Sequence, residues 1–139
     1  YTETDGEFAG WMTWKQEIFE YETAGPFYFK PEGDSYVSAF RAARKHMNAG
    51  DVMHGGCLMA FADFALFGIA YKHIDENYGV TVAFTSEFLS GPKIGQLIEA
   101  RGEVLRAGSS IVFVRGIITA DGVSALNFSG TIKKFKPRP

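Results

Sequence analysis

The chain has 139 residues, 46% of them hydrophobic and 15% aromatic, which is long enough for one domain with a single core and too apolar for a disordered chain. A formal net charge of -2 offers no basic surface and excludes a general nucleic-acid binder. Thirteen Phe are more than a small monomer needs to bury, so the surplus predicts self-association.

The first twenty residues are acidic and then aromatic. Phe8, Trp11, Met12 and Lys15 recur at helical spacing and predict a short amphipathic helix. Its plainer role is to cover one end of a sheet; the sharper one is a lid whose Trp11 and Trp14 line a channel. Gly25-Pro26 signals a turn, Phe27-Tyr28-Phe29 a short strand, and Pro31-Glu32-Gly33-Asp34 a second turn. Residues 35–44 then alternate as a hairpin partner, with Tyr36, Ser38, Phe40 and Ala42 on one face. Arg41, Arg44, Lys45 and His46 read as a solvated strand end.

After a loop over residues 47–53 comes a run from Gly55 to Tyr71 with a single charged member, Asp63. A helix apolar on every side is a buried helix. It is slightly short for a membrane span, carries its acid at the centre and lacks flanking anchors, so it reads as a core helix. Dehydrating an ionised carboxylate costs several kcal/mol unless something compensates. Asp63 is therefore either a reactive group, suited to general-base or nucleophile work, or a buried acid held by hydroxyls at a seam between subunits. Gly55 and Gly56 at the helix start either permit a tight turn or let a ligand approach the free amides there. His54 sits at the mouth and Asp63 nine residues on, on opposite sides and about 13 Å apart at ~1.5 Å and ~100° per residue. One chain cannot bring them together. If both serve one site, two helices lie side by side and antiparallel, and the protein is an obligate homodimer with two shared sites.

Polar residues 73–77 close the helix and Tyr78-Gly79 turns. Residues 80–88 form the clearest period-two strand, which Gly91-Pro92 ends. Strands over residues 96–106, 109–120 and 123–135 follow, parted by Ala107-Gly108 and by Asp121-Gly122, a strong hairpin cue. Strand, strand, helix and then four strands in a meander predict an α+β fold in which a curved antiparallel sheet wraps one long buried helix. A lone sheet leaves the helix open on one side, which again calls for a second subunit. Cys57, the only cysteine, packs as a small apolar residue and fits a reducing compartment. Three scattered His offer no metal-ligand spacing, and no Ser-His-Asp triad or phosphate loop emerges. No signal peptide is visible, although the chain opens at Tyr1 rather than Met, and the cytoplasm is the expected compartment.

Asn48, His54-Gly55-Gly56 and Asp63, followed by Gly79-Val80-Thr81-Val82, Leu89-Ser90-Gly91-Pro92-Lys93-Ile94-Gly95 and Arg106-Ala107-Gly108-Ser109-Ser110, resemble the hotdog-fold acyl-CoA thioesterases of the phenylacetyl-CoA thioesterase type. The resemblance runs from about Tyr36 to the C-terminus and leaves out the N-terminal extension. It implies a hotdog domain that hydrolyses an acyl- or aryl-acyl-CoA to free acid and CoA; by length the chain is one such domain over residues 1–139, with residues 1–24 as a helical extension by their spacing. Asp63 is then base or nucleophile and the Gly55 amide polarises the thioester carbonyl. His54 shapes the oxyanion end, Asn48 positions water or substrate, and Thr81 stands where the family commonly has serine. Gly56, Ser90, Pro92, Lys93, Arg106, Gly108 and Ser109 fall where related enzymes lay the substrate, although Ser109 replaces a frequent basic residue. The implied partners are the acyl-CoA and further copies of the chain, as a dimer and a dimer of dimers. No separate cofactor is implied, since coenzyme A belongs to the substrate, and neither nucleic acid nor membrane is. Phe61, Phe64, Phe67 and Phe84 are expected to line an apolar pocket, and His46 and His73 to lie on the surface. The alternatives are a non-catalytic acyl-CoA-binding protein, which has no need of Asp63, and a hydroxyacyl-thioester dehydratase, which the Asn-His-Gly-Gly-Asp spacing disfavours.

Overall fold

Alternating runs of β-branched and aromatic residues in the C-terminal half give four long strands, the last three joined by tight turns, and in the computed structural model these carry most of one antiparallel sheet. The structure describes residues 1–74 and 77–137. Its elements are β1 (Tyr28–Glu32), β2 (Ser35–Arg41), α1 (Gly55–Ile69), α2 (Tyr71–Ile74), β3 (Tyr78–Phe88), β4 (Leu97–Ala107), β5 (Ile111–Ala120) and β6 (Val123–Phe135). The strand order is β1-β2-β4-β5-β6-β3: the expected meander is corrected, since β3 pairs with β6 and not with β4 and forms a sheet edge. The α+β arrangement of a curved antiparallel sheet around one long helix is as expected. Of the polar stretch expected to close the helix, Asp75 and Glu76 lie outside the described residues.

Helix α1 has Leu58, Phe61, Ala62, Phe64, Ala65, Leu66 and Ile69 buried against the sheet. Phe61 touches the rings of Phe27 and Phe40 at 5.1 and 4.7 Å, and each fully buried ring of this kind stabilises by about 1.5–3 kcal/mol. The helix is not covered all round. Met59 is exposed, and Gly56, Ala60, Asp63 and Phe67 are half-buried, which at i, i+3, i+4, i+7 and i+11 from Gly56 makes one open stripe. It runs antiparallel to β3: Gly55 meets the Phe88 ring, Asp63 meets Thr81, and Phe67 packs on Gly79.

Tyr36, Ser38 and Phe40 face the helix as expected, but Val37 and Ala39 on the opposite face are fully buried too. The cover comes from the N-terminus, where the sequence expectation is corrected. Residues 8–15 form no helix. Gly6 and Gly10 take left-handed φ values of 78° and 90°, the chain folds back through a Thr2–Met12 bridge, and Met12 bridges to Phe29 at the edge of β1. Phe8 stacks on Tyr28 at 4.8 Å, the Tyr28 hydroxyl donates to Glu3, and Arg41 pairs with Glu7. The helical spacing of the aromatics is the spacing of a loop that presses them onto the sheet. The helical part of the extension is a π-helical turn, Phe19–Thr23.

His46 is corrected as well: it is 5% exposed. Its Nδ1 accepts from the Ala43 N–H at 2.9 Å and its Nε2 donates to the Ala24 carbonyl at 2.7 Å. It ties the N-terminal extension to the loop that leads into α1. Burial holds its imidazolium form down, so its pKa lies below the ordinary histidine value. His73 is exposed, as expected.

Candidate functional site

Asp63 enters the site from the open stripe of α1. The Thr81 hydroxyl of β3 donates to its Oδ1 at 2.6 Å, a charge-assisted contact of the stronger kind. The two residues open on a cleft of about 1040 Å³ whose walls come from the N-terminal extension, α1, α2 and β3. Trp14, Phe19, Tyr36, Phe67, Tyr71 and Tyr78 give it aromatic sides. The expected lining is therefore corrected in part. Phe67 belongs to it, whereas Phe61 and Phe64 are spent in the core and Phe84 stacks against Phe128. Trp14 is in the wall and Trp11 is not; Trp11 packs on Phe8 and beneath the Lys30 ammonium.

The helix mouth is a second constellation. The loop is closed by the Asn48 Oδ1, which accepts from the Gly50 and Val52 amides at 2.8 and 3.3 Å, leaving its Nδ2 donors turned to solvent. Asp51 holds a left-handed φ of 62° there. His54 caps α1, its Nδ1 accepting from the Gly56 N–H at 2.8 Å. Since Nδ1 is an acceptor, the ring proton resides on Nε2, an exposed donor. The Gly55 amide lies in the first turn, where helix geometry supplies no partner, and among the described residues none is found. A Cβ on Gly55 would sit 3.1 Å from the Phe88 ring, so glycine allows that close packing.

The remaining residues split into two groups. Met53 N–H donates to the Pro92 carbonyl at 2.7 Å, which sets residues 90–93 beside the helix mouth; Ser90 Oγ is itself held by the Ser124 carbonyl. Lys93 is exposed, with its backbone amide on Gln96 Oε1. Arg106, Gly108 and Ser109 are exposed at the far end of β4, a strand whose eleven residues span about 35 Å at ~3.3 Å each. The Gly108 amide is not free, because it donates to the Ile111 carbonyl at 2.8 Å. Thus the structure joins Asp63 with Thr81, and Asn48 with His54, Gly55 and residues 90–93, but keeps these sets apart within one chain.

Among the cleft residues that the sequence left unmarked is an acid. Glu20, on the π-helical turn, lines the cleft beside Asp63. Burial and then the negative charge of Asp63 push its carboxyl up to about 7. Cys57 is inert by the same test, burial pushing its thiol up to about 11.

The model of the thioesterase superfamily matches residues 50–125. No curated protein sequence matches the chain. Among solved structures, the PaaI protein of the E. coli phenylacetic acid degradation operon superposes with a TM-score of 0.70 at 18% identity, over 86% of this chain and 93% of its own. A protein from Thermus thermophilus, TT0310, gives 0.72 at 21% identity, over 83% and 96%. A hypothetical thioesterase from Streptococcus pneumoniae, crystallised with coenzyme A, gives 0.70 at 18% identity, over 81% and 91%. At such identities the likeness establishes the hotdog fold. Among the described residues no helix is long and apolar enough to cross a membrane.

Proposed function

Because the chain belongs to the thioesterase superfamily, whose chemistry is thioester hydrolysis, we propose that it hydrolyses an acyl- or aryl-acyl-CoA to the free acid and coenzyme A. The observation that carries this reading is Asp63, the one carboxylate of an apolar helix, held by Thr81 and open to an aromatic-walled cleft. Asp63 serves as general base on water or as nucleophile. The Gly55 N–H and the His54 Nε2–H are the donors for the carbonyl oxygen as negative charge develops on it, with the dipole of α1 adding to them, and the Asn48 amide positions water or substrate. Gly56 keeps the approach to that backbone open.

Within one chain these donors and Asp63 are about 13 Å apart along the helix, so the reading requires a second copy. The free edge of β3, with Val80 and Val82 half exposed, and the open stripe of α1 support a two-fold pairing of edges. Since α1 runs antiparallel to β3, such pairing carries the partner's Phe88 toward Tyr78, and the partner's helix mouth toward Asp63. It also carries the Arg106 end of one chain toward residues 90–93 of the other. Coenzyme A then lies along the seam, with Lys93 and Arg106 as phosphate partners. Exposed Leu105, Phe113 and Ile117 on the sheet support a dimer of dimers. The unpaired Cys57 supports a cytoplasmic setting.

The test is release of free thiol from aryl, short, medium and long acyl-CoAs by the protein and its Asp63→Asn variant, compared at matched oligomeric state. A fall of about 10²–10⁴-fold is expected for the loss of a positioned base. Turnover of no thioester by the unaltered protein, with acyl-CoA still bound, would move the assignment to a binding protein.

A further inference from the structure

We propose that Glu20 is a second catalytic carboxyl of this cleft, the acid that delivers a proton to the departing coenzyme A sulfur. The inference rests on the thioester-hydrolase reading of the Asp63 cleft. Glu20 lies outside the residues that match the family, on an extension with its own anchoring.

That anchoring is specific. The Glu20 carbonyl accepts from the Phe27 N–H at 3.2 Å, and a Cβ on Gly25 would sit 1.8 Å from the same oxygen, so only glycine lets the chain close so tightly there. Lys45 and buried His46 hold the carbonyls of Gly25 and Ala24. The backbone of the turn is thus clamped on both sides, while the half-buried Glu20 side chain is turned into the cleft. Among the described residues its carboxyl makes no ion pair and no side-chain hydrogen bond. A half-buried acid held without a cationic partner, facing a second carboxylate, keeps its proton. The ionisable groups that line the cleft with it are Asp63 of α1, Glu17 of its own segment, Tyr36 of β2, Tyr71 and Lys72 of α2, and Tyr78 of β3. Burial, Asp63 and Glu17, in that order, push the Glu20 carboxyl up to about 7.

Two carboxyls in one cleft, one taking a proton and the other giving one, divide the labour of hydrolysis. Asp63 takes a proton from water as the water oxygen bonds to the thioester carbon. The carbon–sulfur bond then breaks, its electron pair stays on sulfur, and the Glu20 proton goes to that sulfur to give the thiol. The proton on Asp63 returns through cleft water to the Glu20 carboxylate, and both groups are restored. Thioester and water are consumed; acid and thiol are formed.

The experiment has two arms on the full chain. In the first, kcat/KM against pH is compared for the protein and Glu20→Gln. A bell is expected for the former, with an alkaline limb near pH 7; the variant loses that limb and at least tenfold in kcat at pH 6. A uniform loss at every pH, with the limb in place, overturns the donor role and leaves Glu20 a packing residue. In the second arm, carboxyl carbons of labelled Glu are titrated by NMR, with Glu20 assigned from the signal missing in Glu20→Gln or, where that variant does not fold, in Glu20→Asp. A midpoint near 7 that falls in Asp63→Asn is expected, and a midpoint in the ordinary carboxylate range overturns the proposal whether or not the variant folds. An unaltered protein that cleaves no thioester sinks the hydrolase reading and the donor role with it, whereas an active one whose variant keeps its alkaline limb sinks the donor role alone.

Discussion

The Thr81 hydroxyl donates a hydrogen bond to Asp63 Oδ1, and this single bond fixes the carboxylate's orientation at the rim of the cleft. A hydrogen bond to a charged group is worth about 1.5–3 kcal/mol. Replacing Thr81 with Val keeps the shape and removes the donor, so kcat/KM should fall by roughly 10–100-fold, while Thr81→Ser should stay within a few-fold of the parent. Thioester assays on the two variants check this; equal activity in both would mean that the hydroxyl does nothing for the acid. Trp14 makes a different case at the same scale. Its ring stacks on Phe29 at 4.4 Å and edges Phe64 at 5.1 Å while its remaining face walls the cleft. Trp14→Ala should cost about 3 kcal/mol in a urea melt, as truncation of a packed ring does, and also raise KM for the acyl-CoA.

Among the elements, the segment from residue 43 to residue 54 is where stability meets pH. His46 is neutral in the fold, with both ring nitrogens engaged, and its folded pKa lies below the ordinary 6.5. The unfolded chain therefore binds a proton before the folded one does. The stability it supports is fully present above about pH 6.5 and declines as pH falls from there toward the folded pKa. Urea denaturation at pH 8, 6 and 5 should show that decline, and His46→Ala should flatten this contribution while leaving the Ala43 amide and Ala24 carbonyl unpaired, at about 1–3 kcal/mol. The sequence marked strands β3 to β6 within two residues, because period-two alternation and Asp121-Gly122 are local signals. It marked Asp63 by its isolation among apolar neighbours, and Thr81 only through the family resemblance. It misread His46 and the N-terminal aromatics, since a histidine among cations and aromatics at helical spacing look the same whether solvated or pressed onto a distant strand. Glu20 carried no local signal either: beside Glu17 and Glu22 it reads as a solvated turn, and only packing against α1 separates it from them.

For the molecule as a whole, the decisive question is whether a site is built by one chain or two. The exposed β3 edge, the open stripe of α1 and the separation of Asp63 from the helix mouth all point to two. Val82 faces outward at a β-bulge of that edge, so Val82→Lys should give a monomer by light scattering that keeps its fold but loses turnover, although Asp63 and Thr81 are untouched. Mixing supplies the sharper test. An Asp63→Asn chain has an intact mouth, and a His54→Ala chain has an intact acid, so each homodimer is impaired. Co-refolded in equal amounts, half of the dimers pair one of each, and in a shared-site arrangement each of these holds one site with both groups intact and one with neither. Activity should then recover to about a quarter of the parent. Sites made within single chains would show no recovery at any ratio, because every chain would carry its own defect.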